Sequence, residues 1–254
     1  MERSIKSMKK PIIHAYFLCY NEANILPHLL KHYLSFCEKV VILDNHSTDN
    51  SVEIVKSFEN TEVIPYNSNG ELRDDIYIQL KNGVWKNSVG SADYVIVGDT
   101  DEFLFHEDIV KFLTDKFHKG YTVFRPKGFH MVADEEFELA TSDDIFKSVT
   151  MGVRTEVLDK MMIFDCNKIK EINYTFGCHM AKPVGTLKIY QGDDFKMLHY
   201  KFMGIKDHMY KQKIRGERLS PFNKKFGLGI YYLFSEEEQI KDYRGYLNKR
   251  KKVI

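Results

Sequence analysis

Apolar positions in the first half of the chain alternate between two rhythms. Residues 12–20 form a nearly unbroken apolar run of strand length, the pattern of a strand covered on both faces. Asn21 and Glu22 stop it. Helical spacing follows through Ile25, Leu26, Leu29, Leu30, Tyr33 and Leu34, with Asn24 the expected N-cap and Pro27 in the first turn, where a missing N–H does no harm. Residues 40–43 read as the next buried strand and break into the polar turn Asp44-Asn45-His46-Ser47-Thr48-Asp49-Asn50. Asn50 and Glu53 have the spacing of a capping box ahead of a short helix on Val52, Ile54, Val55 and Phe58. Val63 and Ile64 make a third strand.

After the loop at 67–70, Asp74 and Asp75 open a helical stretch through Ile76, Leu80, Val84 and Trp85. Residues 94–97 are a fourth buried strand, ended by Gly98-Asp99-Thr100-Asp101-Glu102, and Asp108 is placed to cap a helix through Ile109, Phe112 and Leu113 before a fifth strand at 121–125. This alternation predicts an α/β fold, a doubly wound and mainly parallel sheet with helices on both faces. From residue 126 the periodicity degrades, with acidic stretches at Asp134-Glu135-Glu136 and Asp143-Asp144. The chain divides accordingly into a ligand-binding half at 1–125, a completion of the same domain at 126–220, and an extension at 221–254. That extension holds a weakly helical stretch at 236–246 and the basic end Lys249-Arg250-Lys251-Lys252.

Composition removes several functional classes. With 37 basic and 36 acidic residues the net charge is +1, which argues against the broad basic surface that displaces counterions from nucleic acid. No apolar run approaches the roughly 18 residues of a spanning helix, and the leading residues 1–6 have no signal-peptide core behind them, so a cytoplasmic location is expected. Cys19, Cys37, Cys166 and Cys178 show no C-x-x-C spacing, and structural zinc is not expected. The 15 Tyr and 18 Phe are read mainly as core.

In an open α/β sheet ligands bind beyond the carboxyl ends of the strands. Polar groups fall there three times: Asn21 and Glu22 after the first strand, Asp44 and Asn45 after the second, Asp99 and Asp101 after the fourth. Carboxylates gathered on one edge repel unless a cation or donor array stands beside them. Two aspartates one residue apart offer oxygen ligands to Mg2+ or Mn2+, and such an ion would hold a diphosphate. Acidic residues after strands also serve simply as turn formers and caps.

Three blocks carry a resemblance: Cys19-Tyr20-Asn21-Glu22-Ala23-Asn24, then Val41-Ile42-Leu43-Asp44-Asn45-His46-Ser47-Thr48-Asp49, then Asp93-Tyr94-Val95-Ile96-Val97-Gly98-Asp99-Thr100-Asp101-Glu102-Phe103. In this order and separation the chain resembles the family-2-type bacterial glycosyltransferases with a GT-A fold. Lys168-Ile169-Lys170-Glu171-Ile172-Asn173-Tyr174, Gly177-Cys178-His179 and Leu198-His199-Tyr200-Lys201 are similar to a subgroup associated with capsule and lipopolysaccharide assembly. The resemblance implies a metal-dependent, inverting transfer of a sugar from a nucleotide-diphosphate donor to a glycan or lipid-linked acceptor. It implies that Asn21, Glu22 and Asp44 hold the donor's base and ribose, that Asp74 or Asp75 lies near the donor, and that Asp159-Lys160 matches a place where a lysine meets phosphate. Asp99 and Asp101 match D-x-D, Asp101 for direct contact with Mn2+ or Mg2+ and Asp99 for ribose or a metal-bound water. His199 matches a third metal ligand.

Candidates for the base are Asp134, Glu135 and Glu136, which read equally well as a solvated acidic loop, and His179, which would orient an acceptor or pack. The chain lacks a clear Glu-Asp pair and a Q-x-x-R-W motif, which argues against processive polymerisation. The basic tail reads as a frayed end or as a weak, salt-sensitive contact with anionic lipid. Two rivals compete with this reading. A haloacid-dehalogenase-like phosphatase also uses D-x-D, but on its first strand, and Phe103 stands where it has Thr or Val; the other rival is a non-catalytic nucleotide-sugar-binding subunit.

Overall fold

The structure, a computed structural model, describes residues 8–254. The leading segment 1–7, on which the reading of a missing signal-peptide core rests, lies outside the described residues. Up to the D-x-D segment the elements are β1 (Ile13–Cys19), α1 (Leu26–Leu34), β2 (Lys39–Asp44), α2 (Ser51–Lys56), β3 (Thr61–Pro65), α3 (Asp74–Gly83) and β4 (Tyr94–Asp99). Next come β5 (Glu102–Phe105), α4 (Ile109–His118), β6 (Val123–Phe124), β7 (Lys127–Val132), α5 (Ile145–Ser148), β8 (Met151–Arg154), β9 (Ile163–Asp165), β10 (Ile169–Glu171), β11 (Val184–Gly185) and β12 (Ile189–Tyr190). The chain finishes with β13 (Lys196–Phe202), α6 (Ile205–Glu217), α7 (Pro221–Lys225), α8 (Glu236–Lys249) and β14 (Lys251–Lys252).

The fold is α/β. A seven-stranded sheet has the order β12-β6-β9-β4-β1-β2-β3. The first four strands pair in parallel, and β9 alone runs against its neighbours β4 and β6. Strand alternation sends Ala15, Phe17, Val40, Ile42 and Ile96 to the face covered by Leu29, Leu30 and Tyr33 of α1. Tyr16, Leu18, Val41, Val95 and Val97 face the other way, against Trp85 and the apolar side of α3. Helices thus cover both faces, and the runs read as doubly buried strands are so.

A second, five-stranded sheet, β14-β8-β7-β13-β5, arises where the chain crosses from β4 to β5 with only Thr100 and Asp101 between. Its apolar residues Phe103, Leu104, Met131, Met197, Leu198 and Tyr200 join the cluster that contains Phe17 and Ile42, so the two sheets share a core. Tyr33 stitches the crossing. Its hydroxyl donates to the Glu102 carbonyl at 2.9 Å and accepts from the Leu104 amide at 3.0 Å.

Several local expectations need correction. Asn24 does not cap α1; Ile25 takes that position, and the Glu22 carbonyl accepts from the Ile25 and Leu26 amides at 3.1 Å. Asn50 makes no side-chain cap on α2, because Asp49, one residue earlier, accepts from the Ser51 amide at 2.9 Å and from the Ala23 amide at 3.1 Å. Asp108 does cap α4, accepting from the Lys111 amide. The basic tail is not frayed. Lys251 and Lys252 pair with Gly152 and Met151 of β8, and Arg250 donates to the Val132 carbonyl and to Asp134. Helix α6 had no apolar periodicity to reveal it.

Two predictions follow from this packing. Tyr33→Phe strands a buried amide and a buried carbonyl and should lower stability by about 1–3 kcal/mol in urea unfolding. Burial holds the imidazoles of His32 and His208 down to about 4, so both are neutral when folded. An unfolded chain takes up protons on them below its ordinary value of about 6.5. Their contribution to stability is therefore complete above that pH and declines between about 6.5 and about 4, a fall that a melting-temperature series across pH 8 to 4 should register.

Candidate functional site

A cleft of about 480 Å³ opens at the carboxyl edge of β1 and β4 and is walled on its far side by β13 and α6. Asn21, just past β1, has φ 52°, a left-handed conformation that asparagine tolerates. Its side chain accepts from the Thr48 amide at 2.7 Å, and its own amide donates to Ser47 Oγ at 2.9 Å. The two loops after β1 and β2 are thereby joined, and the next residue, Glu22, is directed into the cleft.

The acidic residues converge, each with a cation. Asp101 is 4% exposed, and its Oδ2 lies 3.3 Å from His199 Nε2 and 3.5 Å from Arg215 Nη2. Burial works against its ionisation, but His199, with Arg215 and Lys211, holds its carboxyl well below the usual range. Glu22 faces Lys211 at 3.1 Å and Arg215 at 3.5 Å; there burial wins, and its pKa is raised. Asp99 takes a hydrogen bond from Lys81 at 2.7 Å and, against burial, is lowered by Lys81 and Lys160. In the cleft lining, Glu102 and Lys160, 1% and 5% exposed, pair at 2.5 Å. His199 reaches Asp101 because β13 pairs with β5 in the register His199↔Glu102.

The other anticipated residues are dispersed. Asp74 lines the cleft but is tied to Asn223, donating to it through its backbone at 3.0 Å and accepting from it at 2.9 Å; burial raises its pKa. Lys160 and His179 also line it, and burial, then Lys160, brings His179 down to about 4, so its ring is neutral at pH 7. Asp44 is buried beneath the turn and accepts from the Ser47 amide at 3.1 Å. Asp75 pairs with Arg73 at 2.6 Å outside the lining. Asp134 and Glu135 also lie outside it. They pair with Arg250 and Arg244 of the C-terminal segment. Lys201 of the His199 block also lines the cleft, together with Lys81, Lys211, Arg215 and Arg218, which no sequence block contains. The readable signal was the four-residue spacing of Lys211 and Arg215 soon after the His199 block.

Among the described residues no group of three or more His, Cys, Asp and Glu converges as a metal cage. Asp101 Oδ2 and His199 Nε2 set a carboxylate oxygen and an imidazole nitrogen side by side, 3.3 Å apart. That pair suits Mn2+, or Mg2+ bound through few side chains with phosphate and water completing the set. Asp99 is committed to Lys81 instead. Asp101 and His199 are the residues that would hold a divalent ion, with Asp99, hydrogen-bonded to Lys81, on the same turn. The four thiols are free and buried, and burial raises their pKa values, so none offers a thiolate.

No protein-family model matches the chain, and a search of curated proteins finds no match. Solved structures give partial likenesses. GalNAc-T7 with UDP, GalNAc and Mn2+ is 11% identical over 48% of this chain and 24% of that one, with TM-score 0.38. Glucosyl-3-phosphoglycerate synthase from Mycobacterium tuberculosis, in complex with Mn2+, UDP and glucosyl-3-phosphoglycerate, is 15% identical over 51% and 49%, with TM-score 0.34. Mannosyl-3-phosphoglycerate synthase from Rubrobacter xylanophilus is 13% identical over 61% and 53%, with TM-score 0.36. The chain spans between about a quarter and about a half of the length of these three. Among the described residues no helix is long and apolar enough to cross a membrane.

The buried Glu102–Lys160 pair gives a stability test. Lys160→Met leaves Glu102 buried and unpaired and should cost about 3–5 kcal/mol in urea unfolding, most of it regained by adding Glu102→Leu.

Proposed function

We propose that the chain is a glycosyltransferase that moves a sugar from a nucleoside-diphosphate donor to a glycan or lipid-linked acceptor in cell-surface polysaccharide synthesis. The observation that carries the reading is the meeting of Glu22 after β1, Asp99 and Asp101 after β4, and His199 from β13 in one cleft at the carboxyl edge of the sheet. The donor's nucleotide lies on the β1 side, next to Asn21 and Glu22, where Tyr66 and Tyr77 give the wall flat aromatic faces for a base. Asp101 and His199 hold a divalent ion, which when bound neutralises charge on the departing diphosphate.

The chain's own residues do the rest. Lys81 keeps Asp99 ionised and fixed in direction, and Arg215 braces Asp101 and Glu22 at once. Transfer with inversion needs one group to take the acceptor's hydroxyl proton. His179 is assigned that role, because it lines the cleft and is neutral at pH 7. Asp134 and Glu135 lose it, since arginines occupy them away from the cleft.

Melting curves with UDP-, GDP- and dTDP-sugars should identify one donor that stabilises the protein, by about 2.7 kcal/mol at 100 times its dissociation constant. Asp101→Ala should reduce donor turnover in Mn2+ or Mg2+ at least about 100-fold, the scale on which loss of one electrostatic stabiliser acts, and EDTA should abolish it. Full turnover in Asp101→Ala would remove the metal role. Turnover that persists in EDTA would assign charge neutralisation to Lys211 and Arg215. Donor binding without turnover across an acceptor panel would leave a binding subunit.

A further inference from the structure

The cleft wall carries six Lys and Arg side chains against five Asp and Glu. Lys81, Lys160, Lys211 and Arg215 are each within 4.0 Å of a carboxylate. Among the described residues Lys201 has no such partner, and neither does Arg218, whose Nε donates to the Gly70 carbonyl at 2.8 Å while its guanidinium lies on the Tyr20 ring.

Lys201 differs from the paired lysines in what supports it. It stands two residues after His199 on β13, and the alternation of that strand buries Leu198, Tyr200 and Phe202 while His199 and Lys201 share the face that lines the cleft. At strand spacing the two side chains leave the backbone roughly 7 Å apart. The Lys201 ammonium lies 5.0 Å from the centre of the Tyr231 ring and 5.2 Å from that of Phe202. Beside it, Arg215 rests on Tyr232 at 5.8 Å, and the hydroxyls of Tyr231 and Tyr232 meet at 3.1 Å. An aromatic face steadies a cation without cancelling its charge, so these supports leave the ammonium free to meet an anion.

We propose that Lys201, seated on Tyr231 beside Arg215, forms an anion subsite that takes a phosphate group of the substrate. The phosphate comes either from the donor's diphosphate or from the acceptor. Only this choice of source rests on the reading of the cleft as a donor site; the subsite itself does not.

The test is calorimetric titration of the full chain with inorganic pyrophosphate in buffer containing EDTA. Lys201→Met keeps the aliphatic stem over the rings and should bind roughly tenfold more weakly than wild type, the loss expected for one charge-assisted hydrogen bond. Lys201→Arg should stay within about threefold, because the charge is retained. Equal binding by Lys201→Met with an unchanged melting temperature, or no binding by wild type at millimolar pyrophosphate, overturns the proposal. Repeating the titration with wild type saturated by UDP, GDP or dTDP names the source. Competition assigns the subsite to the donor's diphosphate, and independent binding assigns it to an acceptor phosphate. If none of these nucleotides binds even when Mn2+ replaces EDTA, while pyrophosphate binds through Lys201, the subsite stands and the donor reading falls.

Discussion

The buried ion pair between Glu102 and Lys160 is the constraint on which the cleft depends. The chain leaves a parallel sheet and enters a second sheet within two residues, and Glu102 is the first residue on the far side. Its carboxylate accepts from Lys160 and also from the Asp99 amide at 3.2 Å, so one side chain fixes both ends of the crossing. Gly98 permits the approach, since a Cβ there would lie 2.5 Å from Met162 Cε and 3.2 Å from the Glu102 carboxylate. With the crossing fixed, Asp99 and Asp101 point into the cleft from a rigid turn, and β5 is available as the template for β13. The Tyr200 amide donates to the Asp101 carbonyl at 2.8 Å, which seats His199 beside the Asp101 carboxylate. A pair of this kind is weak support for stability taken alone. Here its product is geometry.

The same crossing explains why near-cancellation of total charge hides a charged site. Clustered carboxylates suggest a missing cation when read along the chain. In the folded protein most of that counter-charge is supplied by lysines and an arginine from α3, α6 and the segment before β9. The resulting cleft is an alternating lattice of opposite charges, which burial makes stiff because every member needs its partners. Among the described residues, Lys201 and Arg218 are the cations of this wall left without a carboxylate partner.

The framework of the seven-stranded sheet was legible because parallel strands with helices on both faces demand long apolar runs, and 12–20, 40–43 and 94–97 supplied them. Polar residues at the strand ends followed from the same rule. What escaped notice was set by contacts between distant segments. Helix α6 carries His208, Lys211, Gln212 and Arg215 on its inner side, so its buried face is polar and hydrophobic periodicity passes over it. Lys81 sits within a helix whose inner face otherwise looks ordinary, and only the fold sets it beside Asp99. Asp134 and Glu135 looked available because their partners, Arg250 and Arg244, lie more than a hundred residues away. The caps of α1 and α2 were misplaced for a local reason: Asp49 and the Glu22 backbone satisfy amides that neighbouring asparagines were expected to serve.

The short strand β14 has a practical meaning for anyone handling the protein. By pairing with β8 it occupies one border of the five-stranded sheet, where unpaired amides and carbonyls would otherwise recruit another chain. Two lysines on that strand add charge to the border, and Lys196 donates to the Val253 carbonyl at 2.7 Å to hold it in place. The final residues are thus a seal. Trimming them, or pulling on them through a fused tag, would trade a closed border for a sticky one, and solubility would register the change first.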